Sequence, residues 1–341
     1  MTPRMAERII ISRTDSIGDV VLTLPLAGAI KKYLPGSEVI FLGRDYTRDV
    51  ITLSKHVDEF ISWDTPRHWD NQEKIHWLRE KHADVIIHVF PDIEIARLAK
   101  RAGIRHRIGT TGRLYHYYLC NKLVPLSRRK SNLHEAQLNF PLLHPIIPSV
   151  KIPAIEEIPS LYGFSLPEGN TDDADPYIDT KRFNLILHPK SKGSAREWPL
   201  DHYTALIRML PEEKFNILVT GTAAEAEMMT SFLSENSSRI TDLTGRFTLQ
   251  QFIRFIGTAD GLVAASTGPL HLAAALGKKA IGIYPPIRPM HPGRWAPLGE
   301  NASYLVVDRA CNDCRKSGNC HCMSEITPEQ IMNSLTDDKR T

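Results

Sequence analysis

Two acids flank a short turn close to the start of the chain: Asp15 and Asp19 bracket Ser16-Ile17-Gly18, directly after the apolar run Arg8-Ile-Ile-Ile-Ser12. A carboxylate at the carboxyl end of a strand, where open α/β sheets place their ligands, can take a proton from an attacking hydroxyl. The same position also suits an acid that only caps the next helix, and Asp15 reads more simply as a cap or loop residue. A second stretch, Ser266-Thr267-Gly268 followed by Pro269 and His271, is a small-residue turn ahead of a helix. Its unpaired N–H groups and the positive end of the helix dipole suit an anion such as a nucleotide diphosphate, with His271 in the first helical turn. Turns of this composition also occur in strand-turn-helix units that bind nothing, and a lone His there is often structural.

Three further constellations could carry chemistry. His188-Pro-Lys-Ser-Lys-Gly-Ser-Ala-Arg196 is a small-residue loop in which Lys190, Lys192 and Arg196 offer three cations to a diphosphate, and Ser191 a hydroxyl. Thr220-Gly221-Thr222 precedes Glu225, an acid placed either to accept from ribose hydroxyls or merely to favour a helix start. Between Arg97 and Lys130 stand ten Lys or Arg and no Asp or Glu, with Tyr115, Tyr117 and Tyr118 interleaved. Arg101, Arg105, Arg107 and Arg113 cluster there, and a one-signed stretch of this kind expects an anionic partner: a phosphorylated acceptor or an anionic membrane surface. No nucleic-acid module signature accompanies it. Finally, Cys311-x2-Cys314 and Cys320-His321-Cys322 could hold zinc or iron, but the tight second pair favours reduced thiols fastening a loop, and no metal is assigned.

The elements that must position these residues follow a regular alternation. Apolar runs predict strands at 8–12, 38–42, 59–63, 84–90 and 105–109, with helices at 20–33, 46–53, 69–81 and 93–102 between them. The pattern restarts with strands at 183–188, 215–219, 240–243, 261–265, 280–284 and 304–307, and helices at 201–210, 223–234, 249–257 and 269–276. A last helix should start at Thr327-Pro-Glu-Gln330, with Thr327 as cap and Gln330 completing a capping box. β-α-β alternation predicts right-handed, mostly parallel sheets. Six prolines and six acids between Pro145 and Pro176 mark an interdomain edge. The expected division is residues 1–160 as one domain, 161–182 as linker and 183–341 as a second domain, two Rossmann-like α/β halves facing a cleft.

The totals narrow the function. At 341 residues two domains are expected, and 42% hydrophobic with 24% charged residues is ordinary for a soluble globular protein. No apolar run reaches the ~20 residues that span a bilayer, and the first residues carry no signal-peptide core, so a cytoplasmic monomer is expected. G-x-G-x-x-G after a first strand and G-x-x-x-x-G-K-[ST] are both missing, which argues against a dinucleotide enzyme and a P-loop ATPase.

Taken together, Arg13-x-Asp-x-Ile-Gly-Asp-Val-Val-Leu-Thr-x-Pro25, Arg196-x-Trp-Pro199, Asp242-Leu-Thr-Gly245, Ser266-Thr-Gly-Pro-Leu-His271 and Cys322-Met-x-x-Ile326 resemble the lipopolysaccharide heptosyltransferases, glycosyltransferase family 9. The match runs in order over nearly the whole chain. The resemblance implies a GT-B fold with residues 1–160 as the acceptor domain and 183–341 as the donor domain, and single-displacement, inverting transfer from a nucleotide sugar, typically ADP-heptose, with no cofactor. It puts the base on Asp19, the phosphate-binding cation on Arg196, and the donor turn on Ser266, Thr267, Gly268 and His271. Some members carry Asp where this chain has Ser266. It also implies a phosphorylated lipopolysaccharide inner-core acceptor, held by Ser16 and the Arg101–Arg113 cations at the inner face of the inner membrane. A nucleotide-sugar epimerase on the same fold, or a non-catalytic nucleotide-sugar or core-oligosaccharide binding protein, are the alternatives.

Overall fold

A computed structural model of the protein describes residues 7–128, 131–166, 176–288, 290–309, 311 and 321–336. The chain divides into two compact units, residues 1–165 and 166–341.

In the first unit, strands β1 (Arg8–Ser12), β2 (Glu38–Gly43), β3 (Glu59–Ser62), β4 (Val85–His88), β5 (His106–Thr110) and β6 (Lys122–Val124) form a parallel sheet in the order β3-β2-β1-β4-β5-β6. Ile9, Ile10 and Ile11 of β1 and Val85, Ile86 and Ile87 of β4 are all buried, as central strands covered on both faces require. From β1 the chain winds outward to β2 and β3, then returns to the other side of β1 with β4. The crevice beyond the carboxyl ends of β1 and β4 is therefore the topological switch point, where such sheets bind ligands.

The single helix expected over 20–33 is two: α1 (Ile17–Val21) and α2 (Pro25–Tyr33). Pro25 has no N–H to continue a helix and instead opens α2 at its first position. α2 packs closely on the 3-10 turn Pro159–Leu161, because a Cβ at Gly28 would lie 2.2 Å from the Leu161 carbonyl oxygen. Residues 161–165, where a linker was expected to begin, lie on this unit: Tyr162 is buried and Phe164 bridges Ser54.

In the second unit, strands β7 (Phe183–His188), β8 (Phe215–Val219), β9 (Ile240–Asp242), β10 (Gly261–Ala265), β11 (Lys279–Tyr284) and β12 (Ala302–Val306) form the sheet β12-β11-β10-β7-β8-β9, again parallel. Its switch point lies between β7 and β10. Leu185, Leu187, Val263 and Ile281 pack against Tyr203, Leu206, Ile331 and Leu335 to form the core on one face. The helix expected over 223–234 breaks at Met229 (φ −117°, ψ 13°) into Ala223–Met228 and Thr230–Glu235. The last helix, Pro328–Thr336, has its capping box: Thr327 N donates to Gln330 Oε1 at 2.8 Å and Gln330 N to Thr327 Oγ1 at 3.4 Å. Among the described residues no helix is long and apolar enough to cross a membrane.

Candidate functional site

The switch point of the first unit carries a cluster of charges built on Arg13, the first residue after β1. Its guanidinium is almost fully buried, at 3% exposure. Nε and Nη2 donate to the two oxygens of Asp15 at 2.8 and 3.0 Å, Nη2 also donates to Asp19 Oδ1, and Nη1 reaches Glu135 Oε1 at 3.3 Å. Glu135 is wholly buried and ion-paired with Arg128 as well. Arg128 in turn donates to the Val89 carbonyl and to Asn139 Oδ1. Asn139 Nδ2 donates to the Leu22 carbonyl at 3.2 Å, tying this segment under the end of α1.

Asp19 is thus no helix cap. No side chain caps α1, and the Asp19 carboxylate lies between Arg13 and the Ser16 hydroxyl, which donates to Oδ2 at 2.5 Å. Its side chain keeps 20% of its surface exposed. Nor is Asp15 a cap, since it forms a fork with Arg13. Asp15, Asp19 and Glu135 meet Arg13 and Arg128 here. Burial, aided by the Asp19 charge, raises the Asp15 pKa above the usual carboxylate value although Arg13 pulls the other way. Sequence reasoning missed Glu135 and Arg128, which reach the site only through the fold.

Beside it, His88 ends β4 in register with Ser12. It is buried, neither ring nitrogen has a hydrogen-bond partner, and burial lowers its pKa to about 3. The imidazole is neutral.

The arginines expected at an acceptor site are not brought together. Arg113 follows β5 and is exposed at the carboxyl edge of the sheet, the edge that carries Asp19. Arg101 and Arg105 precede β5 and lie at the opposite edge, about 15 Å away over five residues of strand. Arg107 turns its guanidinium inward, Nε to the Leu119 carbonyl at 2.9 Å and Nη1 to that of Ile104 at 2.6 Å.

At the second unit's switch point, His188 ends β7 and its Nδ1 lies 3.0 Å from Thr220 Oγ1 at the end of β8. Burial holds its pKa down to about 4, against the opposing pull of Glu225 and Glu197. The following loop is organised by Glu197, a residue the sequence reading passed over. Glu197 pairs with Lys190 at 2.9 Å and accepts from Ser191 N at 3.0 Å and Ser191 Oγ at 2.9 Å. Lys192 (φ 48°) and Gly193 (φ 77°) make the left-handed turn at the loop's tip, and Lys192 is exposed there. Arg196 is half-buried, two residues before Trp198, whose Nε1 anchors the loop by donating to the Ile326 carbonyl at 2.8 Å.

Across the switch point, β10 runs straight into the helix Gly268–Ala275. Thr267 is the N-cap residue (φ −127°, ψ 164°), yet its side chain caps nothing, and its buried Oγ1 makes no hydrogen bond. The N–H groups of this helix start are accordingly left without a side-chain cap. Ser266 hydrogen-bonds the Tyr284 hydroxyl at the end of β11, and His271 is buried within the helix. Thr222 and Glu225 form a capping box, with Thr222 N donating to Glu225 Oε2 at 2.7 Å. Glu225 therefore already serves a helix start.

Of the cysteine cluster, Cys314 and Cys320 lie outside the described residues. Cys322 is buried, its thiol pKa raised by burial and by contact with Cys311, while Arg309 donates to its sulfur at 3.4 Å. Among the described residues no group of three or more His, Cys, Asp or Glu is placed to hold a metal.

Two parallel six-stranded sheets with their helices define a GT-B-type α/β protein. The structure of the ADP-heptose lipopolysaccharide heptosyltransferase II of Escherichia coli matches at a TM-score of 0.75 with 20% identity, over 96% of this chain and 97% of that one. The chain belongs to glycosyltransferase family 9 (heptosyltransferase), whose family profile matches residues 73–322, and it is a glycosyltransferase. Similar over nearly their full lengths are lipopolysaccharide heptosyltransferase 2 of E. coli K12 (22% identical, 96% of this chain and 97% of the relative) and lipooligosaccharide heptosyltransferase 2 of Haemophilus ducreyi (24%, 96% and 98%).

Proposed function

We propose that the protein moves heptose from ADP-heptose, with inversion, onto a hydroxyl of a phosphorylated lipopolysaccharide inner-core acceptor. The observation that carries this reading is the Asp19 carboxylate, partly exposed at the carboxyl end of β1 and fixed between Ser16 and Arg13. As the acceptor oxygen attacks the anomeric carbon, Asp19 takes its proton, the new C–O bond forms, and the bond to the diphosphate breaks with ADP as leaving group. The charge gathering on that diphosphate is met by Arg196, Lys190 and Lys192 and by the N–H groups around Gly268. Ser191, Ser266, Thr267 and His271 shape the same pocket, and Thr222 with Glu225 borders it on the ribose side. Ser16 and Arg113 lie on the acceptor side, Arg113 facing its phosphate. The names of the relatives, which include an ADP-heptose enzyme and lipopolysaccharide and lipooligosaccharide heptosyltransferases, supply donor and acceptor class. The reading puts the protein in the cytoplasm, at the inner face of the inner membrane.

Asp19→Asn tests it. Transfer should fall by a factor of ~10²–10⁴, the usual worth of a general base, while ADP still stabilises the protein against heat and does so better than UDP or GDP. Unchanged turnover would remove Asp19 from the mechanism.

A further inference from the structure

Most of the one-signed stretch of the first unit is not absorbed by the transfer chemistry. The helix Ile93–Ala102 buries Ile95, Ala96, Leu98 and Ala99 and exposes Arg97, Lys100 and Arg101. The turn after β5 and the short helix His116–Leu119 lie against it, with Lys100 Nζ donating to the Tyr118 carbonyl at 2.7 Å. That turn and helix present Leu114, Tyr117 and Tyr118 to solvent at 84%, 53% and 77% exposure. Three exposed large apolar side chains within five positions set this segment apart, since the others that the described residues expose, such as Tyr46, Trp69 and Met228, stand singly along the chain.

The two acids at the start of this helix are engaged elsewhere. Asp92 is spent on the backbone N–H groups of Glu94 and Ile95, and Glu94 pairs with Lys74 at 2.6 Å. A phosphate pocket would converge its cations on one point. Here Arg97, Lys100 and Arg101 are strung along a helix beside an apolar tip. Tyrosines with an apolar neighbour, ringed by long cationic side chains, suit a layer that is apolar within and anionic at its face. The turn leaves the sheet at the same carboxyl edge as Asp19.

We propose that this surface docks on an anionic lipid bilayer, with Leu114, Tyr117 and Tyr118 entering the headgroup layer and Arg97, Lys100 and Arg101 facing the anionic headgroups. The proposal rests on the lipid-linked acceptor of the proposed function, which it deepens by naming the surface that meets the membrane.

The test is co-sedimentation of the full chain with phosphatidylcholine vesicles, with and without phosphatidylglycerol. The protein should partition onto the anionic vesicles only, and release as salt rises. Arg97→Gln with Lys100→Gln should weaken partitioning about 25-fold, at roughly fivefold per cation removed. Leu114→Ser with Tyr118→Ser should weaken it on the order of tenfold even at low salt, where charge attraction is strongest. Both double variants should keep the thermal stabilisation by ADP, showing that they are folded. Wild-type protein that ignores anionic vesicles, or variants that bind as wild type does, would overturn the proposal, and the first result would leave a protein partner as the occupant. Asp19→Asn should bind vesicles normally, so a failure of docking and a failure of the transfer reading give different results.

Discussion

Glu135→Ala is the sharpest probe of the charge cluster. Glu135 is fully buried, accepts from Arg13 Nη1 at 3.3 Å and pairs with Arg128. Removing one member of a buried ion pair costs about 3–5 kcal/mol, because a charge is left without compensation. Here both arginines retain acceptors: Arg13 keeps Asp15 and Asp19, and Arg128 keeps the Val89 carbonyl at 3.2 Å and Asn139 Oδ1 at 3.3 Å. Arg128 also has 26% of its side chain in reach of water. The cost therefore falls at the low end, about 3 kcal/mol. In urea, with a slope of about 2 kcal/mol per molar, the unfolding midpoint of the first unit should drop by ~1.5 M. Stability within about 0.5 kcal/mol of wild type would refute the reasoning that Glu135 holds the two arginines as a buried ion pair.

Arg196→Ala should weaken ADP binding by ~1.5–3 kcal/mol, the worth of a hydrogen bond to a charged group, and titration calorimetry would read it directly; wild-type affinity would mean that the guanidinium faces elsewhere. His88 and His188, with pKa values lowered to about 3 and about 4 from 6.5, remain neutral in the folded units while the unfolded chain protonates below pH 6.5. Folded stability should therefore be lost as pH falls, each unit losing about 1.4 kcal/mol per pH unit between roughly pH 6 and pH 4. Denaturant titrations across that range would measure the slope, and His88→Leu should flatten it in the first unit only. Gly28→Ala should cost about 1–3 kcal/mol in thermal or urea unfolding, because the new Cβ would meet the Leu161 carbonyl oxygen at 2.2 Å.

Much of the fold was legible because buried parallel strands announce themselves as unbroken apolar runs. The runs Phe183–His188, Phe215–Val219 and Gly261–Ala265 have the bounds of β7, β8 and β10. What escaped were elements too short to carry a period. β6 has three residues, one of them a lysine, and sits at the sheet edge where little burial is demanded. The break between α1 and α2 was written in Pro25, but an apolar run on both sides of it hid the stop. The isolated Asp92, by contrast, caps the helix Ile93–Ala102, whose apolar face is regular enough for both of its ends to be read from sequence.

The site was legible only as far as its local residues. Arg13, Asp15, Ser16 and Asp19 lie within seven positions and their types suggest proton transfer, but nothing local says that Glu135, 122 positions after Arg13, completes the cluster. Glu197 escaped for another reason: the cations around it drew the eye, and a lone acid inside a basic loop reads as incidental until its carboxylate is seen holding Lys190 and Ser191. Both omissions are acids that hold cations in place. Glu197 fixes Lys190 and Ser191 within the loop, and Glu135 joins Arg13 to Arg128 across two segments that only the fold brings together.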